Sequence, residues 1–369
     1  MGGLVPDQLR DGYLSILIRF HDSRELESLD LALFSLANQG YQKVQAIICC
    51  QSFSLAELAE VQSIVDQTIT PSDFEVDILN GDFGKGDHRS DLLNLGISAV
   101  RGQFLGFLDY DDVIYQGSYS YLIAQLDATP AAVAAFAGIN QAIVDKAGYN
   151  YYCERKNRML REGHKLEFFS GNQYPIHSGI INLRRVNPQL IRFDSDISRN
   201  EDYIFFMRIL CTGPWCDRRK NFDIGEYMMR SDGSNTVVAG NSMDDEDKAF
   251  AWRRAYERFI SERNKMVAHI EVSELVEFLS YTKRPASDYT ALTSDVTQLA
   301  EALLRSKSWR YTRSFRRLSR LLTGRGYIDL SSPETAREAV KLIQTISFSK
   351  SWAISAPLRM LYSILKKLR

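Results

Sequence analysis

No apolar run in the sequence approaches the roughly 20 residues needed to span a bilayer. The segment Met1 to Tyr13 mixes Gly, Pro, Asp and Arg and lacks the apolar centre of a signal peptide, so a cytoplasmic location is expected. An excess of one charge is missing too. Against 45 Lys and Arg stand 46 Asp and Glu, a formal net charge of −1, so any pull toward nucleic acid or membrane must come from local patches. Cysteine is scarce: Cys49, Cys50, Cys153, Cys211 and Cys216 form no paired C-x-x-C ligands. Cys49 and Cys50 sit in an apolar run and read as buried free thiols, which suits a reducing cytoplasm. What is present is the balance of a globular protein, and 369 residues suffice for one large α/β domain plus an appendage.

The first half alternates short apolar runs with amphipathic helical stretches, the pattern of a parallel sheet with helices on its faces. Leu14 to Ile18 is the first run and stops at Arg19-Phe20-His21-Asp22. Leu26, Leu29, Leu33 and Leu36 then stand near helical spacing, closed by Gly40. Val44 to Cys50 predicts a second strand, and Ser54 with Glu57 a capping box. Phe74, Val76 and Ile78 alternate as a third strand, and a helix follows the polar loop Asn80 to Asp87. Phe104 to Leu108 is continuously apolar, as a strand buried on both faces would be. Further on, helices are expected at Ser118 to Leu126 and Glu201 to Leu210, and strands at Ala131 to Ile139, Ile180 to Leu183 and Glu226 to Met229. The basic, aromatic stretch from Tyr149 to Gln173 has no clear period. Beyond about residue 240 strand signals fade and helices dominate, which divides the chain into a catalytic domain, 1–240, and a helical C-terminal region, 241–369.

The apolar run at Phe104 ends abruptly in Asp109-Tyr110-Asp111-Asp112. In an open parallel sheet ligands bind beyond the carboxyl ends of the strands, so these carboxylates would stand in the binding crevice. Grouped carboxylates repel one another unless a cation neutralises them, and oxygen ligands suit Mg²⁺ or Mn²⁺. Such an ion is usually held by one or two carboxylates plus substrate phosphates, which points to a diphosphate ligand. An acidic surface turn is the alternative, and the apolar run that delivers the cluster argues against it.

Phe104 to Asp112, preceded by Asn94-Leu95-Gly96-Ile97, Ala99 and Arg101-Gly102, resembles the helix, apolar strand and Asp-x-Asp motif of family 2 glycosyltransferases of the GT-A fold. The resemblance implies a Rossmann-like, mostly parallel sheet with helices on both faces, a nucleotide-sugar donor, and inverting transfer to a hydroxyl of a glycan or lipid-linked saccharide. It implies that Asp111 ligates the divalent ion on the donor diphosphate, that Asp109 contacts the ribose or the metal, and that Asp112 lies behind them. Asn200-Glu201-Asp202-Tyr203 looks like the family's acidic pair opening a later helix, with Asp202 the general base and Glu201 beside it. A sugar hydroxyl is a poor nucleophile and needs such a carboxylate, although a helix N-terminus is expected to lower its pKa and weaken it as a base. Pro175 to Ile180 resembles an acceptor-side segment, in which His177 is a candidate acceptor contact.

Two places depart from the family. Its first strand usually ends in Pro-Thr, where this chain has Arg19-Phe20; that loop is expected to hold the nucleobase through backbone groups and aromatic stacking. Its second strand usually ends in Asp residues that read the base or ribose, where this chain has Cys50-Gln51, leaving Gln51 to meet a base edge. The nucleotide is therefore open. Arg230, in a loop after a strand, resembles the family's late diphosphate loop, and Lys85 to Arg89 is a weaker phosphate candidate. A sugar nucleotidyltransferase would want a Gly-rich loop after the first strand, and Arg19 to Asp22 has no glycine. A degenerate domain serving as a glycan-binding or scaffold module is the non-enzymatic alternative.

Near the end, Arg305 to Arg325 carries basic residues and no acidic ones, with Arg313, Arg316, Arg317 and Arg320 on one helical face. Lys307-Ser-Trp and Lys350-Ser-Trp begin two similar segments, too few copies for a solenoid. Basic amphipathic helices of this kind suit peripheral contact with the inner face of a membrane, or packing on the catalytic domain.

Overall fold

The computed structural model describes residues 8–69, 74–84, 86–159, 163–197, 200–231 and 246–282. Lys85 and the basic segments at 305–325 and 350–369 lie outside the described residues. Contacts divide the chain into a unit ending at Phe278 and another from Leu279 to Arg369. The architecture below is that of the first unit.

Strands β1 (Arg10–Phe20), β2 (Val44–Gln51), β3 (Glu75–Gly81) and β4 (Gly102–Asp109) alternate with α1 (Leu26–Ala37), α2 (Leu55–Thr68) and α3 (Arg89–Ile97). They form the parallel half of the sheet in the order β3-β2-β1-β4. Next come β5 (Val113–Ile114), α4 (Ser118–Ala128), the long β6 (Ala134–Ala147), β7 (Asn150–Arg158) and β8 (Gly179–Asn182). α5 (Glu201–Leu210), β9 (Trp215–Arg230), α6 (Glu246–Arg263) and α7 (Val272–Thr282) complete the described chain. Among the described residues the sheet continues from β4 as β8-β6-β9-β5, with β7 on β6. This half is mixed: β8 runs antiparallel to β4 and β6, and β9 parallel to β6.

Burial on both faces explains the unbroken apolar strands. Leu14, Ile16, Ile18 and Phe20 of β1 face α1, α2 and α4, while Leu17 faces α3 and α5. Ser54 and Glu57 form the capping box that opens α2. Three motif residues of the third helix and fourth strand have physical reasons. A Cβ on Gly96 would lie 2.8 Å from both Cys49 Sγ and Leu17 Cδ2, so glycine there lets α3 pack close on the sheet without displacing them. A Cβ on Gly102 would meet the Ser15 nitrogen and the Tyr13 oxygen at 2.7 Å each. The Asn94 amide donates to Phe193 O at 3.0 Å and accepts from Phe193 N at 2.8 Å, tying α3 to the segment that leads into α5.

α5 is anchored beneath the strand that carries Asp109. Phe205 and Phe206 pack edge-on against Phe107 of β4, with centroids 5.5 and 6.4 Å away. Each such pair contributes roughly 0.5–1.5 kcal/mol beyond the area it buries. Tyr203 packs on Phe259 of α6, so this helix after residue 240 is part of the same core. No helix among the described residues is long and apolar enough to cross a membrane.

Candidate active site

Arg19 and Asp109 end neighbouring strands and are direct register partners. Arg19 Nε lies 2.6 Å from Asp109 Oδ1 and Nη2 lies 3.1 Å from Oδ2, a two-pronged pair. The guanidinium keeps the Asp109 carboxyl below its usual range against the opposing effect of burial. Asp109, expected to contact the ribose or the metal, thus already has both oxygens held.

Beyond Asp109 the chain turns, Asp112 N donating to Asp109 O at 3.0 Å. Tyr110 packs edge-on to Phe20, and Asp111 stands partly exposed beside Asp109. Burial, then the charge of Asp109, pushes the Asp111 carboxyl up to about 6. Its anionic form therefore lacks sufficient compensation, which a cation would supply. Among the described residues no group of three or more His, Cys, Asp or Glu side chains forms a metal cage. A Mg²⁺- or Mn²⁺-type ion completed by substrate phosphates needs only one or two carboxylates, and Asp111 fits that requirement.

Asp112 is 1% exposed. It accepts from Met228 N at 2.8 Å, which fastens the turn to β9, and burial raises its carboxyl well above the usual range. Its other oxygen lies 3.1 Å from His177 Nδ1, in contact but outside hydrogen-bond geometry. His177 is equally buried, stacks on Tyr227, and is pushed down to about 4 by that burial. The ring thus sits beneath the acidic turn, at the back of Asp112. The turn in which Ser178 N donates to Pro175 O carries the imidazole inward, where it meets Asp112 rather than solvent.

On the other side of the crevice α5 opens at Asn200, whose φ of 63° is left-handed, a conformation Asn tolerates. Glu201 and Asp202 follow. Glu201 Oε1 is 3.3 Å from Arg89 Nη1 and 3.6 Å from Arg19 Nη1. Asp202 accepts from its neighbour's backbone, Tyr203 N, at 2.7 Å and from Asn172 Nδ2 at 3.2 Å. Burial, then the charge of Glu201, pushes Asp202 up to about 7. Here the helix terminus does not win: desolvation and a like charge outweigh it, and the carboxyl becomes a stronger base than expected.

The donor-side residues occupy different settings. Phe20 is 0% exposed, edge-on to Phe53 and Tyr110, so its ring belongs to the core and offers no face to a nucleobase. The Gln51 amide donates to Gly84 O at 3.1 Å and Gly86 O at 3.0 Å, bracing the loop before α3. Arg230 Nη2 pairs with Glu25 Oε2 at 2.6 Å, and both line a polar cavity of 420 Å³ with Lys146 and Ser231. Sequence reasoning missed Asn172, which lies in a stretch without period, and the pairing of Arg89 with Glu201. It also missed the salt bridges of Arg19. These depend on which strands and loops become neighbours.

Residues 15–188 match the model for glycosyl transferase family 2, a span containing Arg19, Asp109 to Asp112 and His177 but not Glu201 or Asp202. No curated protein matches the chain. Among solved structures, S. aureus TarS shares 14% identity over 71% of this chain and 46% of its own, with a TM-score of 0.42. This chain thus spans less than half of that protein. TarS 1-349 in complex with UDP-GlcNAc shares 16% identity, covering 79% of each chain, with a TM-score of 0.47. The mannosyltransferase PcManGT from Pyrobaculum calidifontis, in complex with GDP-Man and Mn²⁺, shares 11% identity over 91% of this chain and 87% of its own, with a TM-score of 0.44. The family match takes in the acidic turn at the end of β4, and residues 15–188 of this chain are similar to glycosyl transferase family 2.

Proposed function

We propose that the chain transfers a sugar, with inversion, from a nucleoside-diphosphate donor to a hydroxyl of a glycan or lipid-linked saccharide. The observation that carries this reading is the pairing of two sites at the carboxyl end of the sheet: the Asp109–Asp112 turn and the Glu201–Asp202 helix opening, joined through Arg19. One offers Asp111, a carboxylate in no ion pair among the described residues and raised by burial and by Asp109. The other offers a carboxyl pushed up to about 7, suited to accept a proton at neutral pH.

Asp202 takes the proton of the acceptor hydroxyl as its oxygen attacks the anomeric carbon, and the bond from that carbon to the diphosphate breaks. The Asn172 amide orients the Asp202 carboxylate and favours its charged form. Asp111 would hold a divalent ion, which when bound would neutralise charge on the leaving diphosphate. Asp112 holds the turn against β9 and leaves Asp111 correctly placed. Arg230 and the loop braced by Gln51 border the donor. In this reading the catalytic machinery lies within residues 1–240, with α6 packed on it. A position at the inner face of a membrane would suit a lipid-linked acceptor and rests on the sequence of 305–325 and 350–369 alone.

Steady-state kinetics of Asp202→Asn test the proposal. Donor binding is expected to persist while turnover falls by roughly 10²–10⁴-fold, the scale of general-base removal. Poor donor binding with normal turnover at saturation would make Asp202 a binding residue instead. A module that merely binds glycans would hydrolyse no donor in either form.

A further inference from the structure

We propose that Arg19 is a positioning residue that locks Asp109 to the opening of α5 and thereby keeps Asp109 out of metal coordination. The inference rests on the functional reading above for the identity of the metal ligand and the base. Its own basis is geometric. Arg19 uses all three guanidinium nitrogens: Nε and Nη2 on the two oxygens of Asp109, and Nη1 facing Glu201 Oε1 at 3.6 Å. Arg89 Nη1 approaches the same Glu201 oxygen at 3.3 Å. The side chains of Arg19, Asp109 and Glu201 are only 20%, 15% and 7% exposed, so this is not a screened surface pair.

Three elements therefore meet at one guanidinium: the end of β1, the end of β4 and the first turn of α5. The first two are fixed by strand register, so the third is positioned relative to the acidic turn. Lysine offers a single point charge and cannot make this three-way contact. A divalent ion on Asp109 would share its carboxylate with a guanidinium and face that positive charge at close range. Asp111 makes no such direct pair among the described residues, where Arg19 and Arg230 act on it only as nearby charges, and it remains the more open carboxylate.

The test uses the full chain and Mn²⁺ alone, without nucleotide, followed by steady-state kinetics. In Asp109→Asn, Mn²⁺ is expected to bind about as tightly as in the parent, because the residue changed is not a ligand. In Arg19→Gln, which frees Asp109 and removes a positive charge beside the site, it is expected to tighten about tenfold. Turnover of Arg19→Gln should fall about 100-fold with donor KM little changed, as expected for a displaced base. Arg19→Lys should not restore it. A tenfold loss of Mn²⁺ affinity in Asp109→Asn overturns the lock, as does an Arg19→Gln protein with parental metal affinity and turnover. If Arg19→Gln does not fold, the Asp109→Asn measurement decides, since asparagine still accepts from the guanidinium. Asp111→Asn separates this idea from the reading beneath it. If that variant binds Mn²⁺ like the parent, the metal assignment fails, and the lock stands or falls on the turnover and KM of Arg19→Gln.

Discussion

Glu201 and Asp202 are consecutive in the chain and opposite in their electrostatic company. Glu201 faces two guanidinium groups, at 3.3 and 3.6 Å, and is nearly sealed from solvent. Asp202 has an amide and a backbone N–H as partners and the charge of Glu201 beside it. Two carboxylates at one helix terminus thus divide the work. Glu201 is a fixed counterion, and Asp202 is left basic.

The first consequence is a pH profile. A general base works deprotonated, so kcat/KM is expected to rise with pH and level off above about 7. Removing the Asn172 donor in Asn172→Ala destabilises the charged form of Asp202, so the rising limb should move to higher pH with the plateau largely retained. A limb that stays in place would show that another group titrates.

Stability follows from the same shift. The folded state binds a proton at Asp202 more tightly than the unfolded chain, so this group favours folding at low pH and costs stability as pH rises toward about 7. Asp202→Asn should therefore raise Tm at pH 8, by about 2–4 °C for each kcal/mol relieved, and have little effect at pH 4. Calorimetric melts at the two pH values check this. A variant less stable at pH 8 would contradict the burial cost assigned to Asp202.

Two glycine substitutions should differ in cost. A methyl at position 96 meets the ends of the Cys49 and Leu17 side chains, which can shift, at about 1–3 kcal/mol. A methyl at position 102 meets backbone of β1, which cannot shift without breaking the parallel sheet. Gly102→Ala should therefore lose more stability in urea than Gly96→Ala. The reverse order would show that β1 yields more easily than the α3 contact.

The parallel half of the fold was legible because β1, β2 and β4 are buried on both faces and its helices carry an apolar stripe. α5 was readable from Glu201 to Leu210 for the same reason. The β6–β7 hairpin was not. β7 is an exposed edge strand, with Tyr152 68% exposed, so no alternation marks it. β9 begins eleven residues before its readable end at Glu226, through Cys216-Asp-Arg-Arg-Lys-Asn, where irregular pairing with β6 replaces a clean apolar period. In the site, residue types announced the acidic turn and the helix opening. Their partners were hidden, because Arg19 finds Asp109 only if β1 neighbours β4, and His177 turns inward only through the loop before β8.

Calorimetric titration of nucleoside diphosphates, with and without Mn²⁺, into the parent and Asp111→Asn proteins tests the functional reading most directly. Asp111 is raised to about 6 by burial and by Asp109, so the amide relieves a cost and the variant should fold at least as stably near neutral pH. The parent should bind at least one nucleoside diphosphate in a Mn²⁺-dependent manner, and the folded variant should lose that dependence. A variant that binds metal and nucleotide as tightly as the parent would contradict the assignment of the acidic turn as the donor's metal site.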